Sequence, residues 1–299
     1  MAYRTVLVYL DLDPHCAARV ACAAALVAPG GVLVGAAMSG VSRMLCRGVP
    51  DQDDDAYLAL HLAFLRQRAQ SALAAFAQQA AQPGMPAHDA RLIDDEAASG
   101  LGLEARVADL LVLSQPAAMP EYAAPASAAL AGAQVSVAPA PGPAVLAAQV
   151  LPLAGRPVLL LPTSSAAVVI GRRILLAWDA SRAASRALAG ALPLLRGAEA
   201  VELVVCASAA VARDVRMADP LPWLARHQVR AGMRTHVVTG ATRLRRDAIG
   251  AALLALAADG GFDLLVMGAY GHSRLRETFL GSVTRAVLNR MTLPVLLEH

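Results

Sequence analysis

The sequence predicts an α/β protein of two tandem domains, each a parallel sheet with helices on both faces. Three observations lead there. Short apolar runs alternate with helix-length segments along the whole chain. Three short motifs occur twice, in the same order, once in each half. The length, 299 residues, is that of two ordinary domains rather than one.

The repeated motifs divide the chain. VLVYLD at Val6–Asp11 returns as ILLAWD at Ile174–Asp179, DLLVL at Asp109–Leu113 as DLLVM at Asp263–Met267, and PVLL at Pro157–Leu160 as PVLL at Pro294–Leu297. The two copies join near Pro162–Gly171, giving domains at 1–163 and 171–299.

In the second copy, Ile174–Trp178 is a continuous apolar run, the pattern of a strand buried on both faces. Ser181 supplies an N-cap for a helix over Arg182–Leu195. A strand over Val201–Ala207, a helix over Pro220–Ala231, a strand over Arg234–Val238 and a helix over Arg246–Ala258 follow, the last ended by Gly260–Gly261. Phe262–Met267 is the next strand, Ser282–Arg290 a helix and Leu293–Leu297 the closing strand. The first copy runs in parallel: strand Thr5–Leu10, helix Ala17–Val27, strand Val32–Ala37, long helix Asp54–Gln79, strand Ala90–Ile93, helix Asp95–Val107, strand Leu110–Leu113. The acidic run Asp51–Asp55 reads as the solvated start of the long helix. The stretch Tyr122–Gly155 carries no charge, but Pro125, Pro139, Pro141, Pro143 and Pro152 interrupt it, so it reads as an irregular linker with one short helix rather than a membrane span.

Composition excludes several functions. The formal net charge is only +3 and no basic stripe or tail appears, so nucleic acid is not an expected partner. There is no lysine, hence no Walker A loop, Schiff base or pyridoxal phosphate linkage. Cys16, Cys22, Cys46 and Cys206 form no C-x-x-C pair, and no H-E-x-x-H occurs, so neither zinc nor a disulfide framework is expected. Free thiols and an opening segment unlike a secretory signal point to the cytoplasm.

Chemistry concentrates after the fourth strand of the second copy, in GAYGHSRLRETFLGSVTRAVL. Gly268 and Gly271 permit positive φ and close backbone approach to a ligand. Gly281, Ser282, Val283 and Thr284 open a helix whose first amides lack intrahelical partners and lie at the positive end of its dipole. Such an end binds phosphate without lysine. The Ser282 and Thr284 hydroxyls add hydrogen bonds, and Arg274 and Arg276 in the intervening loop can screen phosphate charge. In open parallel sheets, ligands bind at the carboxyl ends of strands, here beyond Asp179 and Met267.

The spacing G-x2-G-x9-G-[ST] after a strand ending in Met-Gly, together with Asp179 followed by Ser181 and the closing LPVLLE, resembles the ATP-binding branch of the universal stress protein family across the whole second half. The resemblance implies Rossmann-like, HUP-type domains, each a five-stranded parallel sheet of order 3-2-1-4-5. It implies an adenine nucleotide (ATP, or AMP or ADP) held by Asp179 with Ser181 at the nucleoside, by backbone near Cys206 at the adenine, and by Gly268, Gly271, His272, Gly281, Ser282, Val283 and Thr284 around ribose and phosphates. Mg²⁺ beside the phosphates would fall to Asp179. It further implies pairing along the last strand, between the two domains or between chains.

The first copy departs from the pattern. Ser114 and Ala117 replace Gly268 and Gly271; Ala144 and Val145 replace Gly281 and Ser282; Asp11 persists. This domain is expected not to bind ATP in the same way. No nucleophile–base–orienter set is visible, so a regulatory or stress-response binder is preferred over an enzyme, with slow ATP hydrolysis as the most catalysis expected. An adenine-nucleotide α-hydrolase is one rival, although Asp179-Ala180-Ser181-Arg182 lacks its S-G-G-x-D-S loop. A non-nucleotide interaction protein is the other.

Overall fold

The computed structural model describes residues 3–40, 56–115, 143–163, 170–207, 218–238, 247–269 and 282–299. The first half contains strands β1 (Tyr3–Leu10), β2 (Val27–Met38), β3 (Ala87–Ile93), β4 (Leu110–Ser114) and β5 (Val158–Leu161), with helices α1 (Cys16–Ala25), α2 (Ala56–Ala80), α3 (Ala97–Ala105) and α4 (Pro143–Ala154). The second half contains β6 (Arg173–Ala177), β7 (Ala200–Ala207), β8 (Gly232–Val237), β9 (Leu264–Gly268) and β10 (Val295–Glu298), with α5 (Arg182–Gly190), α6 (Leu192–Leu195), α7 (Leu221–Arg226), α8 (Asp247–Asp259) and α9 (Ser282–Arg290).

Among the described residues ten strands form one sheet, in the order β3-β2-β1-β4-β5-β10-β9-β6-β7-β8. Each half has the order 3-2-1-4-5 that the resemblance implied, and every pairing within a half is parallel. The halves meet antiparallel where the two PVLL copies lie side by side: Val295 opposite Leu160, Leu296 opposite Leu159, Leu297 opposite Val158. The motif pairs with its own repeat, as an isologous contact between two copies of one unit must. Last-strand pairing is therefore made within the chain, and each half covers the other's open strand edge.

The central strands are continuous Leu/Val runs because helices cover both faces. On one face α1, α2, α5, α6 and α7 pack over Val6, Val8, Leu10, Leu159, Ile174, Leu176 and Leu296. On the other, α3, α4, α8 and α9 pack over Leu7, Leu111, Leu160, Leu175, Leu265 and Leu297. Both apolar layers run unbroken across the seam. Side-chain hydrogen bonds also cross it: the Tyr3 hydroxyl donates to the Gly190 carbonyl at 2.8 Å, and Gln115 Nε2 donates to the Leu288 carbonyl at 3.0 Å.

Several element boundaries differ from expectation for identifiable reasons. The helix expected over Arg182–Leu195 breaks at Ala191, because Pro193 has no amide to continue it. The helix expected to reach Ala231 stops at Arg226, and Gln228, at φ 64°, turns the chain into β8. Pro152, expected to break its segment, sits inside the last turn of α4. Ser181 caps α5 as expected, its Oγ accepting from the Ala184 amide at 3.0 Å. Gly261, at φ 60°, follows the end of α8. The acidic run 51–55 and most of the uncharged stretch lie outside the described residues. No helix among the described residues is long and apolar enough to cross a membrane.

Candidate functional site

The second half's carboxyl edge is built from three adjacent strands, β9, β6 and β7. Register sets their ends level. Ala177 pairs with Val204, two residues before Cys206, and Leu176 pairs with Val266, two residues before Gly268, so the chain leaves β6 through Trp178 and Asp179 at the edge where β7 and β9 end. Neighbouring strands lie about 4.8 Å apart, so Asp179, Cys206 and Gly268 share one short stretch of edge.

The turn leaving β6 is tightly held. The Trp178 amide donates to the Val204 carbonyl at 2.9 Å, and its indole nitrogen donates to the Ala218 carbonyl at 3.0 Å, fastening the approach to α7 onto this edge. The Asp179 carboxylate accepts the Ser181 amide at 3.0 Å. Between them Ala180 takes φ 57°, a left-handed conformation unusual for a residue with a Cβ. Backbone held in that region often marks a ligand-binding turn. Ser181 spends its hydroxyl as the α5 cap.

Gly268 does something other than expected. Its φ is not positive, and the missing Cβ faces protein rather than open space. A Cβ there would overlap the Ala184 amide nitrogen and stand 2.6 Å from the Ala183 carbonyl carbon. The glycine lets the start of α5 seat directly against the end of β9.

Burial, opposed by Arg234, pushes the half-buried Cys206 thiol up to about 11, away from the thiolate form. Ser282, Val283 and Thr284 form the first turn of α9, whose course back to β10 starts it at the carboxyl edge. Ser282 and Val283 are half-buried; Thr284 is buried, at 2% exposure. Gly250 on α8 fixes this turn, since a Cβ there would meet the Val283 carbonyl at 2.9 Å and Ala286 Cβ at 2.8 Å. Sequence reasoning passed over Gly250, although a lone glycine inside an apolar helix signals close packing. Gly271, His272, Gly281, Arg274 and Arg276 lie outside the described residues. Among the described residues no group of three His, Cys, Asp or Glu is placed to hold a metal ion.

The first half has the same edge with different contents. Val8 pairs with Val112, two residues before Ser114, just as Leu176 pairs with Val266, two residues before Gly268. In this half Arg19 Nη2 lies 2.6 Å from Asp11 Oδ1. Ala144 and Val145, the counterparts of Gly281 and Ser282, fall inside α4.

The family model of the universal stress protein family matches residues 171–298. A universal stress protein from a Synechocystis strain is 53% identical over 38 residues, a segment that spans 13% of this chain and 13% of that protein. A universal stress protein structure from Archaeoglobus fulgidus superposes with a TM-score of 0.63 at 15% identity, covering 99% of this chain and 98% of that one. A Pseudomonas aeruginosa protein described as functionally unknown superposes with a TM-score of 0.52 at 14% identity, covering 99% and 92%. At such identities the two structures speak to fold alone, and they extend over both halves. The second half of the chain is thus a domain of the universal stress protein family, preceded by a half that repeats its strand order.

Proposed function

We propose that the C-terminal half binds ATP, or another adenine nucleotide, and that the chain serves as a regulatory, stress-response module rather than an enzyme. The observation that carries this reading is one of placement. The first turn of α9 starts at the carboxyl edge to which β6, β7 and β9 bring Asp179, Cys206 and Gly268, directly after the G-x2-G-x9-G-[ST] spacing. Asp179 and the Ala180–Ser181 turn take the nucleoside and backbone near Cys206 the adenine. Gly268, Gly271, His272, Gly281 and the amides of Ser282, Val283 and Thr284 surround ribose and phosphates. Asp179 is the residue that would hold Mg²⁺ beside them. The pairing of the two halves stands in for assembly with a second chain, and a cytoplasmic setting suits the free thiols at Cys16, Cys22 and Cys206.

Calorimetric titration with ATP tests the proposal. Saturable heat from the wild-type chain is expected, and replacing Gly281 with a bulky residue should abolish it while the fold is kept. Changes at Val145, the counterpart of Ser282, should leave affinity unaltered. Absence of heat and of any thermal shift at millimolar ATP would assign the chain to the non-nucleotide interaction proteins. Release of AMP and pyrophosphate on long incubation would assign it to the α-hydrolases.

A further inference from the structure

Arg19 is the only charged residue of α1, and it is 2% exposed. Burying a guanidinium is unfavourable unless its charge and its donors are met. Here they are met from the carboxyl edge of the first half. Nε donates to the Tyr9 carbonyl at 2.9 Å, Nη1 to Ser114 Oγ at 2.6 Å and Nη2 to the Asp11 carboxylate at 2.6 Å. The guanidinium carbon also lies 5.6 Å from the centroid of the Tyr9 ring.

Each acceptor has a counterpart in the second half. Tyr9 and Asp11 end the first strand as Ala177 and Asp179 do, and Ser114 stands where Gly268 stands. In the second half the helix start closes onto Gly268 backbone to backbone. In the first, Ser114 carries a side chain, and the Arg19 guanidinium occupies the space between helix and strands.

We propose that Arg19 is a built-in plug, a resident cation that ties Asp11 and Ser114 together and so closes the first half's carboxyl edge to ligand. A phosphate site built on Arg19 is the other use a buried arginine could have, and the geometry opposes it. The side chain is shut from solvent, and its charge is already met by Asp11. On the outer side Asp13 Oδ1 and His15 Nδ1 lie 2.8 Å apart, and Arg68 is a further cation near the Tyr9 ring.

The test is chemical rescue in the full chain. Arg19→Ala should lower the thermal midpoint by several degrees, and low-millimolar methylguanidinium should restore most of the loss. The wild-type chain and the Asp11→Asn/Arg19→Ala double variant should gain nothing from the same additive. An unchanged midpoint in Arg19→Ala, no recovery with methylguanidinium, or an equal gain in the wild-type chain would each overturn the proposal. If Arg19→Ala does not fold, Arg19→Lys decides. A lysine ammonium keeps the charge but concentrates its donors on one nitrogen, where Arg19 meets its three acceptors from three, so a lowered midpoint supports the plug and a wild-type midpoint overturns it.

Discussion

Gly268 at the end of β9 and Ala184 near the start of α5 touch backbone to backbone, with no room between them for a methyl group. Gly268→Ala should therefore destabilise the chain by about 1–3 kcal/mol, the usual penalty for forcing extra volume into a packed site. It should weaken nucleotide binding as well, because α5 carries the Ser181 cap beside Asp179. The reciprocal change should also be harmful. Ser114→Gly removes the hydroxyl that accepts from Arg19, a loss of about 1–2 kcal/mol for a bond to a buried charge. Urea unfolding of the two variants checks both, and a stabilised Ser114→Gly chain would contradict the account of the first half.

Asp263 and Asp109, the shared first residue of the DLLV motif, have one structural task. The Asp263 carboxylate accepts the amides of Gly171, Arg172 and Arg173 at 3.0–3.1 Å, where β6 begins. Asp109 accepts those of Arg4 and Thr5, each at 2.9 Å, where β1 begins. Asp263→Ala should cost about 2 kcal/mol and Asp109→Ala about 1 kcal/mol, since partly exposed charge-assisted bonds lie at the low end of their range. Neither should alter nucleotide affinity, because both lie at the amino edge of the sheet. Paired unfolding and titration measurements would reveal any departure.

That motif also shows what the sequence could and could not disclose. Repetition of DLLV and PVLL exposed the duplicated sheet, because strand-edge clasps and strand pairing constrain short contiguous runs. The strand order came from the family likeness and holds in both halves. What stayed hidden depends on contacts distant in sequence. Arg19 meets Ser114 across 95 positions, and Tyr3 meets Gly190 across 187. The signal for Arg19 was a single charge in a helix of small and apolar residues, which reads as surface until the sheet beneath it is known. Gly268 was legible as a necessary glycine, but not as one serving helix packing.

Ala180 offers a stabilising change at the site itself. Its φ of 57° carries a penalty of about 1 kcal/mol for an L residue with a Cβ. Ala180→Gly relieves that but gives the unfolded chain more freedom, an opposing term of about 0.5 kcal/mol. A net gain of about 0.5 kcal/mol is expected in denaturant unfolding. If the turn presents Asp179 to the nucleoside, the looser glycine backbone should at the same time weaken ATP binding. A variant both more stable and tighter binding would show that the strained turn plays no part in recognition.

Glu298 should make the seam between the halves sensitive to pH. It ends β10, where its carbonyl accepts the Ala269 amide at 2.8 Å. Its side chain turns toward Gly190 and Pro157, and a Cβ on residue 190 would stand 2.6 Å from Glu298 Oε2. That oxygen is buried and has no hydrogen-bond partner among the described residues. Burial raises the carboxyl above the ordinary glutamate range, with Arg186 and Arg156 opposing. Tyr3, across the seam, stays protonated because burial and then Glu298 and Asp109 raise its phenol, so it goes on donating to Gly190. A carboxyl raised in the folded chain binds its proton more tightly there than when unfolded. Its contribution is therefore fully present below the ordinary glutamate pKa and is lost as pH rises through the raised value. Glu298→Gln, neutral at every pH, should match the wild-type thermal midpoint under acidic conditions and exceed it increasingly toward neutrality. Thermal unfolding across a pH series of the two chains measures this difference, and a gap that is constant with pH, or that widens on acidification, would mean that the Glu298 carboxylate is adequately solvated at the seam.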